Sequence, residues 1–169
     1  MMVTPTETVD APPQAPGGSL ADQILNFATT WLGIPYQWGG NSRSGVDCSG
    51  LVQQVYNHFG LNLPRVSSAQ ARVGKLISAK NARPGDLVYF DQSQTGDTQP
   101  GIDHIGIYIG HGQMIVAPHT GTNVQIQPVG TAAGFDRVLP QKAFAGMAKG
   151  SGGNFQWTPL TVSRSRMWR

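Results

Sequence analysis

Two runs of apolar residues at helical spacing open the globular part of the chain. The first run follows a capping pair, Ser19 with Asp22, and stops at Gly33. A second run begins just after Cys48 and stops by Gly60, so it predicts a second amphipathic helix with the cysteine at its N-terminus. The apolar positions of the two runs are Leu20, Ile24, Phe27, Ala28, Trp31 and Leu32, then Leu51, Val52, Val55, Tyr56 and Phe59.

Beyond residue 83 the helical period gives way to alternation. The clearest strand is 103–109, in which Ile105, Ile107 and Ile109 share one face and His104 lies on the other. Four more segments are rich in β-favouring residues: 87–90, 113–117, 123–129 and 135–139. The order of elements predicts an α+β fold, with N-terminal helices packed on an antiparallel sheet of about five strands.

Composition divides the 169 residues into three parts. Residues 1–18 are rich in Thr, Pro, Ala and Gly and predict a disordered linker. Residues 19–140 can hold one domain with a sizeable core. Residues 141–169 contain five basic residues and no acidic one, which predicts a poorly ordered basic tail, whereas residues 1–140 carry a net charge of −2. Basic residues in the body are scattered, which argues against nucleic-acid binding.

Cys48 is the only cysteine in the sequence. A lone cysteine is most often a small buried hydrophobe, and that interpretation stays open. Two features favour a nucleophile. The N-terminus of a helix stabilises a thiolate, and the flanking residues, Asp47 and Ser49, are polar where a packing cysteine would have apolar neighbours.

His104 is the candidate partner of the thiol. Its strand face is opposite the isoleucines and carries Gly106, which leaves open space, although a structural histidine fits the periodicity equally well. Cysteine hydrolases need a thiolate, an imidazole that shares its proton and a group that holds the ring. Of two aromatic residues before the cysteine helix, we assign Trp38 to the core and Tyr36 to the wall of the site, because its hydroxyl is a polar group near the thiol.

Five segments in order resemble the successive motifs of NlpC-type bacterial cell-wall cysteine peptidases, over about residues 20–140. They are Tyr36–Gly40, Asp47–Val52, Leu63–Arg65, Pro84–Phe90 and Asp103–Gly110. The resemblance implies a compact papain-like core. It also implies hydrolysis of peptidoglycan stem peptides, commonly at the γ-D-glutamyl bond to a diamino acid.

Site residues follow from the same resemblance. Cys48 corresponds to the nucleophile and His104 to the general base and acid, while Tyr36, Asp47, Ser49 and Arg65 match positions that line the substrate pocket. Asp47 and Ser49 suit an ammonium group, and Arg65 suits a carboxylate. The plainer interpretations are a helix N-cap for Asp47 and a solvated charge for Arg65.

One position departs from the family pattern. The third polar residue usually lies twelve positions after the histidine, and here that position is Val116, which cannot orient an imidazole through a hydrogen bond. His119 is the nearest polar replacement, so we name it as the candidate orienting residue, with a plain loop histidine as the alternative.

The expected protein is therefore a peptidoglycan endopeptidase without a cofactor or metal site. The alternatives are an inactive peptidoglycan-binding module of the same fold, or an acyltransferase or amidase acting on another amide. No apolar run is long enough to span a membrane, and the N-terminus lacks the features of a signal peptide. We expect a monomeric part of a longer polypeptide that acts outside the cell or at the cell wall, either secreted or delivered by a phage.

Overall fold

The computed structural model describes residues 18–92 and 101–145. The predicted linker, apart from Gly18, and the part of the predicted tail beyond residue 145 lie outside these ranges. The predicted tail begins with a 3₁₀ turn, Gln141–Phe144, whose Ala143 and Phe144 are buried in the main core. None of the helices in the described ranges has the length and apolar character that a bilayer crossing requires.

Three helices form one layer of the fold. Helix α1 covers Leu20–Thr29 and starts with a complete capping box, in which the Ser19 hydroxyl accepts from the Asp22 backbone N–H at 3.0 Å. Helix α2 covers Cys48–Asn57, and the short helix α3 covers Ser67–Gln70. The predicted helices are confirmed, and α2 begins at the cysteine itself.

The strands form a small hairpin and a six-stranded antiparallel sheet. The hairpin pairs β1 (Asn41–Ser42) with β2 (Gly45–Val46). The order of the large sheet is β3-β8-β4-β5-β6-β7. Its strands are β3 (Lys75–Ile77), β4 (Leu87–Phe90), β5 (His104–Gly110), β6 (Gln113–Val116), β7 (Gln125–Pro128) and β8 (Gly134–Arg137).

The α+β class predicted from the sequence is confirmed, with one more strand in the large sheet than expected. The extra strand is β3, an edge strand paired only with β8. It is three residues long and its Leu76 is 76% exposed, so it has neither the length nor the buried alternation by which a strand is recognised in a sequence.

The sheet buries apolar side chains on both faces. On the helix side, Ile105 and Ile107 of β5 pack in one cluster with Leu51 and Val55 of α2. On the opposite side, Phe90, Met114 and Val116 belong to a second cluster. Helix α2 is tied to the turn before β4, because the buried Tyr56 hydroxyl donates to the Gly85 carbonyl at 2.7 Å. The helix that carries the cysteine is thus fixed to the middle of the sheet.

The assignment of Trp38 to the core is wrong. Its side chain is 83% exposed. The segment before it is held inward, because the Tyr36 N–H donates to Thr122 and the Gln37 N–H to Val46. The next residue, Gly39, has φ +76°, a left-handed turn that directs the chain back toward α2. The indole therefore lies on the outside of this turn.

A buried acidic cluster lies under β4 and β8. Asp86 is fully buried and pairs with the Arg137 guanidinium through two contacts of 2.8 Å. Asp136 is 1% exposed, and its carboxylate accepts only the Gly74 N–H, at 3.2 Å, among the described residues. Burial raises the pKa of Asp136 to about 6, the Gly74 N–H opposes this rise, and the Asp86 carboxylate adds to it.

The raised pKa predicts that Asp136 destabilises the folded protein at neutral pH. A carboxyl with a raised pKa in the folded state contributes stability that is fully present below its unfolded value of 3.8, and this contribution is lost as pH rises through about 6. We expect Asp136→Asn to increase the free energy of unfolding at pH 7.5 by about 1–3 kcal/mol. Urea unfolding at pH 4.5 and 7.5 measures this difference.

The matched control is Asp103→Asn, which removes an exposed carboxylate and so accounts for the general loss of one negative charge. If Asp136→Asn increases the free energy of unfolding equally at pH 4.5 and pH 7.5, the raised pKa of Asp136 is contradicted.

Candidate active site

Cys48 is the first residue of α2, and Asp47 is its N-cap. The Asp47 backbone is extended, with φ −96°, and its Oδ1 accepts the Gly50 N–H at 2.7 Å. The other oxygen, Oδ2, accepts the Gly39 N–H at 2.9 Å. One carboxylate therefore starts the helix and anchors the preceding loop to it.

The loop lies against the first turn of α2 because glycine is present at the contact. A Cβ on Gly50 would lie 2.1 Å from the Gly40 carbonyl oxygen, a distance that backbone atoms cannot accommodate. The Asp47 N–H donates to the same carbonyl at 3.1 Å. Glycine at position 50 thus allows the preceding loop to approach the first turn of α2 closely.

The Cys48 thiol is half-buried, and its surroundings act on its pKa in opposite directions. Burial raises the pKa most, and the Asp47 carboxylate adds to the rise. The backbone N–H groups of Ile105, Ser49 and Cys48 itself lower it by hydrogen bonding to the thiolate. The sequence predicted a thiolate favoured by the helix N-terminus, but burial is the larger effect and raises the pKa overall.

The contact with Ile105 connects α2 to β5 at the histidine. Ile105 directly follows His104, the first residue of β5. His104 pairs with Phe90 on β4, and the two ring centroids are 5.5 Å apart. The nucleophile candidate therefore lies close to the strand, one residue from the base candidate.

His104 is 7% exposed, and burial lowers the pKa of its ring. Asp103 raises this pKa and His119 lowers it, which places both groups within electrostatic range of the ring. A lowered pKa keeps the imidazole neutral at pH 7, in the state that can accept a proton.

The position at which the family has a polar orienting residue also has apolar surroundings in the structure. Val116 is buried on the His104 face, where its Cβ would lie 3.4 Å from a Cβ on Gly106. His119 is exposed, and its Nδ1 lies 3.0 Å from the Thr120 carbonyl oxygen. Within residues 18–92 and 101–145, no hydrogen bond joins the His104 ring to either residue. The orienting role of His119 stays an untested prediction, and the geometry favours the alternative interpretation, a loop histidine.

Arg65, Asp47 and Ser49 form one polar cluster beside the thiol. Arg65 Nη1 lies 3.0 Å from Asp47 Oδ1 and donates to Ser49 Oγ at 2.8 Å. Its Nη2 donates to Asp47 Oδ2 at 3.1 Å and to the Gly40 carbonyl at 3.2 Å. Arg65 is thus fixed to the helix cap. Without a ligand, its positive charge is balanced by the negative charge of Asp47.

Tyr36 lies at the same site. Its pKa is raised by burial, by Cys48 and by Asp47, and is lowered by Arg65, so its hydroxyl lies within the field of all three groups. The backbone is fixed by a bridge to Val46 on β2. Tyr36 therefore lies near Cys48, Asp47 and Arg65, and its role in lining a substrate pocket stays a prediction.

Gln70 also contacts the site, and the sequence analysis missed it. This side chain is fully buried, and its Nε2 donates to the Ser49 carbonyl at 2.9 Å and to the Pro64 carbonyl at 2.8 Å. It joins the first turn of α2 to the residue before Arg65. The periodicity of so short a helix as α3 gives no sign of this contact, and only the position of Gln70 close after Arg65 could have drawn attention to it.

Comparison with known proteins agrees with this geometry. The family model described as "NlpC/P60 family" matches residues 33–139, more than half of the chain. The chain belongs to the NlpC/P60 family. This membership confirms the resemblance drawn from the five motifs.

NlpC/P60 relatives with named activities are similar over the same region. A γ-D-glutamyl-L-lysine dipeptidyl-peptidase from Bacillus cereus is 36% identical over 126 residues, covering 71% of this chain and 37% of that protein. An Escherichia coli murein DD-endopeptidase/murein LD-carboxypeptidase is 42% identical over 96 residues, covering 56% of this chain and 48% of that protein. The chain spans less than half the length of both relatives.

Solved NlpC/P60 structures share the fold. A family protein from Bacillus cereus superposes with a TM-score of 0.66 at 35% identity, covering 76% of this chain and 42% of that one. The NlpC/P60 domain of the peptidoglycan hydrolase SagA superposes with a TM-score of 0.62 at 31% identity, covering 69% of this chain and 97% of that domain. The second match covers nearly the whole of the SagA domain.

The role of His119 can be tested through the pH dependence of hydrolysis. His119 lowers the pKa of His104 through its charge, so His119→Gln should raise that pKa and move the acid limb of kcat/KM to higher pH. We expect the plateau of kcat to change by less than about twofold, because the His119 ring makes no hydrogen bond to His104 in the described ranges. The measurement is hydrolysis of a γ-D-glutamyl peptide from pH 4.5 to 8.5.

His111→Asn is the matched control, since His111 is exposed in the turn after β5 and its φ of +54° is one that asparagine tolerates. A more than tenfold loss of plateau kcat in His119→Gln, with an unmoved acid limb, would show instead that His119 orients the ring.

Proposed function

We propose that this domain is a cysteine endopeptidase that hydrolyses the stem peptides of peptidoglycan at the γ-D-glutamyl bond to a diamino acid. The single observation that carries the proposal is that Cys48, the first residue of α2, packs against the core cluster that contains Ile105, the residue directly after His104. It unites a thiol at a helix N-terminus with an imidazole on the central strand. The named activities of NlpC/P60 relatives support the same reaction class.

Catalysis begins with transfer of the thiol proton to His104 as the sulfur attacks the substrate. The sulfur attacks the carbonyl carbon of the scissile amide, an S–C bond forms, and the Cys48 N–H stabilises the developing oxyanion. The C–N bond then breaks as His104 donates its proton to the leaving amine. Water attacks the thioester, His104 accepts a proton from it, and that proton returns to the sulfur as the S–C bond breaks.

The lowered pKa of His104 and the raised pKa of Cys48 both disfavour a separated ion pair in the free protein. The imidazole is therefore available as a base at neutral pH, and the N–H groups of Ile105 and Ser49 stabilise the thiolate once it forms. Proton transfer and attack are coupled in this arrangement.

The acyl half of the substrate binds at the cluster of Tyr36, Asp47, Ser49 and Arg65. A free N-terminal ammonium group shares the Asp47 carboxylate and the Ser49 hydroxyl, and a substrate carboxylate pairs with Arg65. Because Arg65 already pairs with Asp47, a zwitterionic ligand keeps the cluster neutral whereas a singly charged one does not. This supports a short peptide end as the recognised feature.

One observation favours a second function. The His104 ring has no hydrogen-bonding partner among the described residues, and Val116 occupies the position where one is expected. A domain that binds peptidoglycan without turnover is the corresponding alternative. In either case the partner is the cell wall, and the domain acts outside the cell as part of a secreted or phage-delivered protein.

Digestion of purified peptidoglycan separates the two functions. The wild-type protein should release fragments whose new N-terminus is the diamino acid, and Cys48→Ala should reduce this release by more than about 10³-fold, because the only thiol is removed. Mass spectrometry of the soluble fragments identifies the bond.

Ser78→Ala is the matched control, an exposed position away from the site whose side chain makes no capping bond. It should digest like the wild type. Retained pelleting of the protein with the cell wall, without any released fragment, would establish the binding function instead.

A further inference from the structure

Basic residues gather around the edge strand β3. From residue 48 to residue 85 the sequence carries five lysines and arginines and no acidic residue. Four of these five lie close to β3 in the chain: Arg72, Lys75, Lys80 and Arg83. Arg72, Lys75 and Lys80 are exposed, and none of the three forms an ion pair with a carboxylate of the described ranges. Their charges therefore face solvent.

Arg137 adds the neighbouring strand to this group. It lies opposite Lys75 in the register of β3 with β8, so the two side chains share one face of the sheet. The guanidinium groups of Arg83 and Arg137 lie 5.2 and 5.0 Å from the centre of the Phe144 ring. Basic residues that are separated in the sequence thus meet near the start of β4.

The carboxylates nearest to these basic residues are buried. Asp86 is fully buried and pairs with Arg137, and Asp136 is 1% exposed. Five basic residues against these two carboxylates leave a local charge of +3. In the described ranges, the acidic residues that are not buried are Asp91 and Asp103, and both lie beyond the opposite end of β4. The surface around β3 is therefore cationic.

Two aliphatic side chains are exposed within the same segment. Leu76 on β3 is 76% exposed, and Val73 is 47% exposed. They alternate with Arg72 and Lys75, so apolar and cationic groups lie side by side over residues 72–76. A partner that fits both kinds of group has an anionic layer with an apolar layer beneath it, which is the chemistry of an anionic lipid bilayer.

The backbone of this segment is fixed from behind. The Gly74 N–H donates to the Asp136 carboxylate at 3.2 Å, and Lys75–Ile77 pair with β8. Because β3 pairs only with β8, its other edge has no neighbour among the described residues. The exposed side chains thus extend from an ordered strand edge that no other part of the described chain covers.

We propose that residues 72–80, together with Arg83 and Arg137, form a docking surface for an anionic lipid bilayer. This set of residues is named the β3 surface. Leu76 and Val73 enter the layer between the lipid headgroups and the acyl chains, and the basic side chains pair with lipid phosphates. Docking is reversible, because two aliphatic side chains bury little apolar area. It requires no hydrolysis, so it is tested independently of the proposed endopeptidase function.

A soluble polyanion is the alternative occupant of the β3 surface. A polymer that carries phosphate groups attracts the same basic side chains, but it has no apolar layer that Leu76 enters. The two partners therefore differ in how strongly binding depends on Leu76.

Sedimentation with sucrose-loaded vesicles measures docking. Vesicles of equal parts phosphatidylglycerol and phosphatidylcholine should bind the chain at least about tenfold more tightly than vesicles of phosphatidylcholine alone. Lys75→Gln/Lys80→Gln should weaken binding to the anionic vesicles more than about tenfold, because each basic residue near such a surface contributes about fivefold. Leu76→Ser should weaken it at least about threefold, because the variant has no apolar side chain to bury in the lipid.

Two control variants remove the same kinds of group elsewhere. Arg164→Gln/Arg166→Gln removes two positive charges from the basic end of the chain, outside the described ranges. Val66→Ser removes an aliphatic side chain that is 54% exposed at the start of α3. Each control should bind the anionic vesicles no more than about threefold more weakly than the wild type.

A fluorescence measurement tests insertion without relying on the Leu76→Ser variant. In the Cys48→Ala background, which has no other thiol, Leu76→Cys labelled with the fluorophore NBD should shift its emission to shorter wavelength on anionic vesicles. Gln113→Cys, labelled in the same way at an exposed position of β6, should not shift.

The bilayer is supported if Lys75→Gln/Lys80→Gln weakens binding more than Arg164→Gln/Arg166→Gln does and the fluorophore at position 76 shifts. Three results overturn the proposal. The first is no preference for anionic vesicles. The second is an equal loss in the two double variants, which assigns binding to net charge alone. The third is unchanged fluorescence at position 76, which indicates a surface for a soluble polyanion instead.

Discussion

The Asp47 carboxylate is the contact on which the site depends. It caps α2 through the Gly50 N–H, holds the preceding loop through the Gly39 N–H and pairs with Arg65. A buried carboxylate is costly unless it is hydrogen-bonded and paired, and here both oxygens have an N–H donor and a guanidinium contact. Because the helix starts at this cap, the same residue fixes where Cys48 lies along the helix axis.

Packing of α2 on the sheet then determines what the thiol meets. Leu51 and Val55 bury against Ile105 and Ile107, and the Tyr56 hydroxyl ties the helix to the turn before β4. These contacts place Cys48 beside Ile105 at the start of β5. Burial at this place raises the pKa of the thiol and lowers that of His104, so both shifts favour the neutral forms of the two side chains.

Much of this could be predicted from the sequence because the residues concerned belong to periodic segments. The cysteine helix and the His104 strand each show one apolar face, and five ordered motifs indicated the NlpC/P60 family. The edge strand β3 was not predicted because it is short and exposed. Trp38 was misplaced because hydrophobicity does not reveal that the turn at Gly39 directs the indole outward. Gln70 and the direction of the thiol pKa depend on tertiary burial, which periodicity does not report.

In the proposed mechanism, Cys48 gives its proton to His104. The chain has a single cysteine, so its alkylation by iodoacetamide reports on that thiol alone. The most direct measurement is the alkylation rate from pH 5 to 10 in the wild type and in His104→Gln. We expect at least about a tenfold slower reaction at pH 7 in the variant, with the profile displaced toward alkaline pH. Superimposable profiles for the two proteins would contradict it.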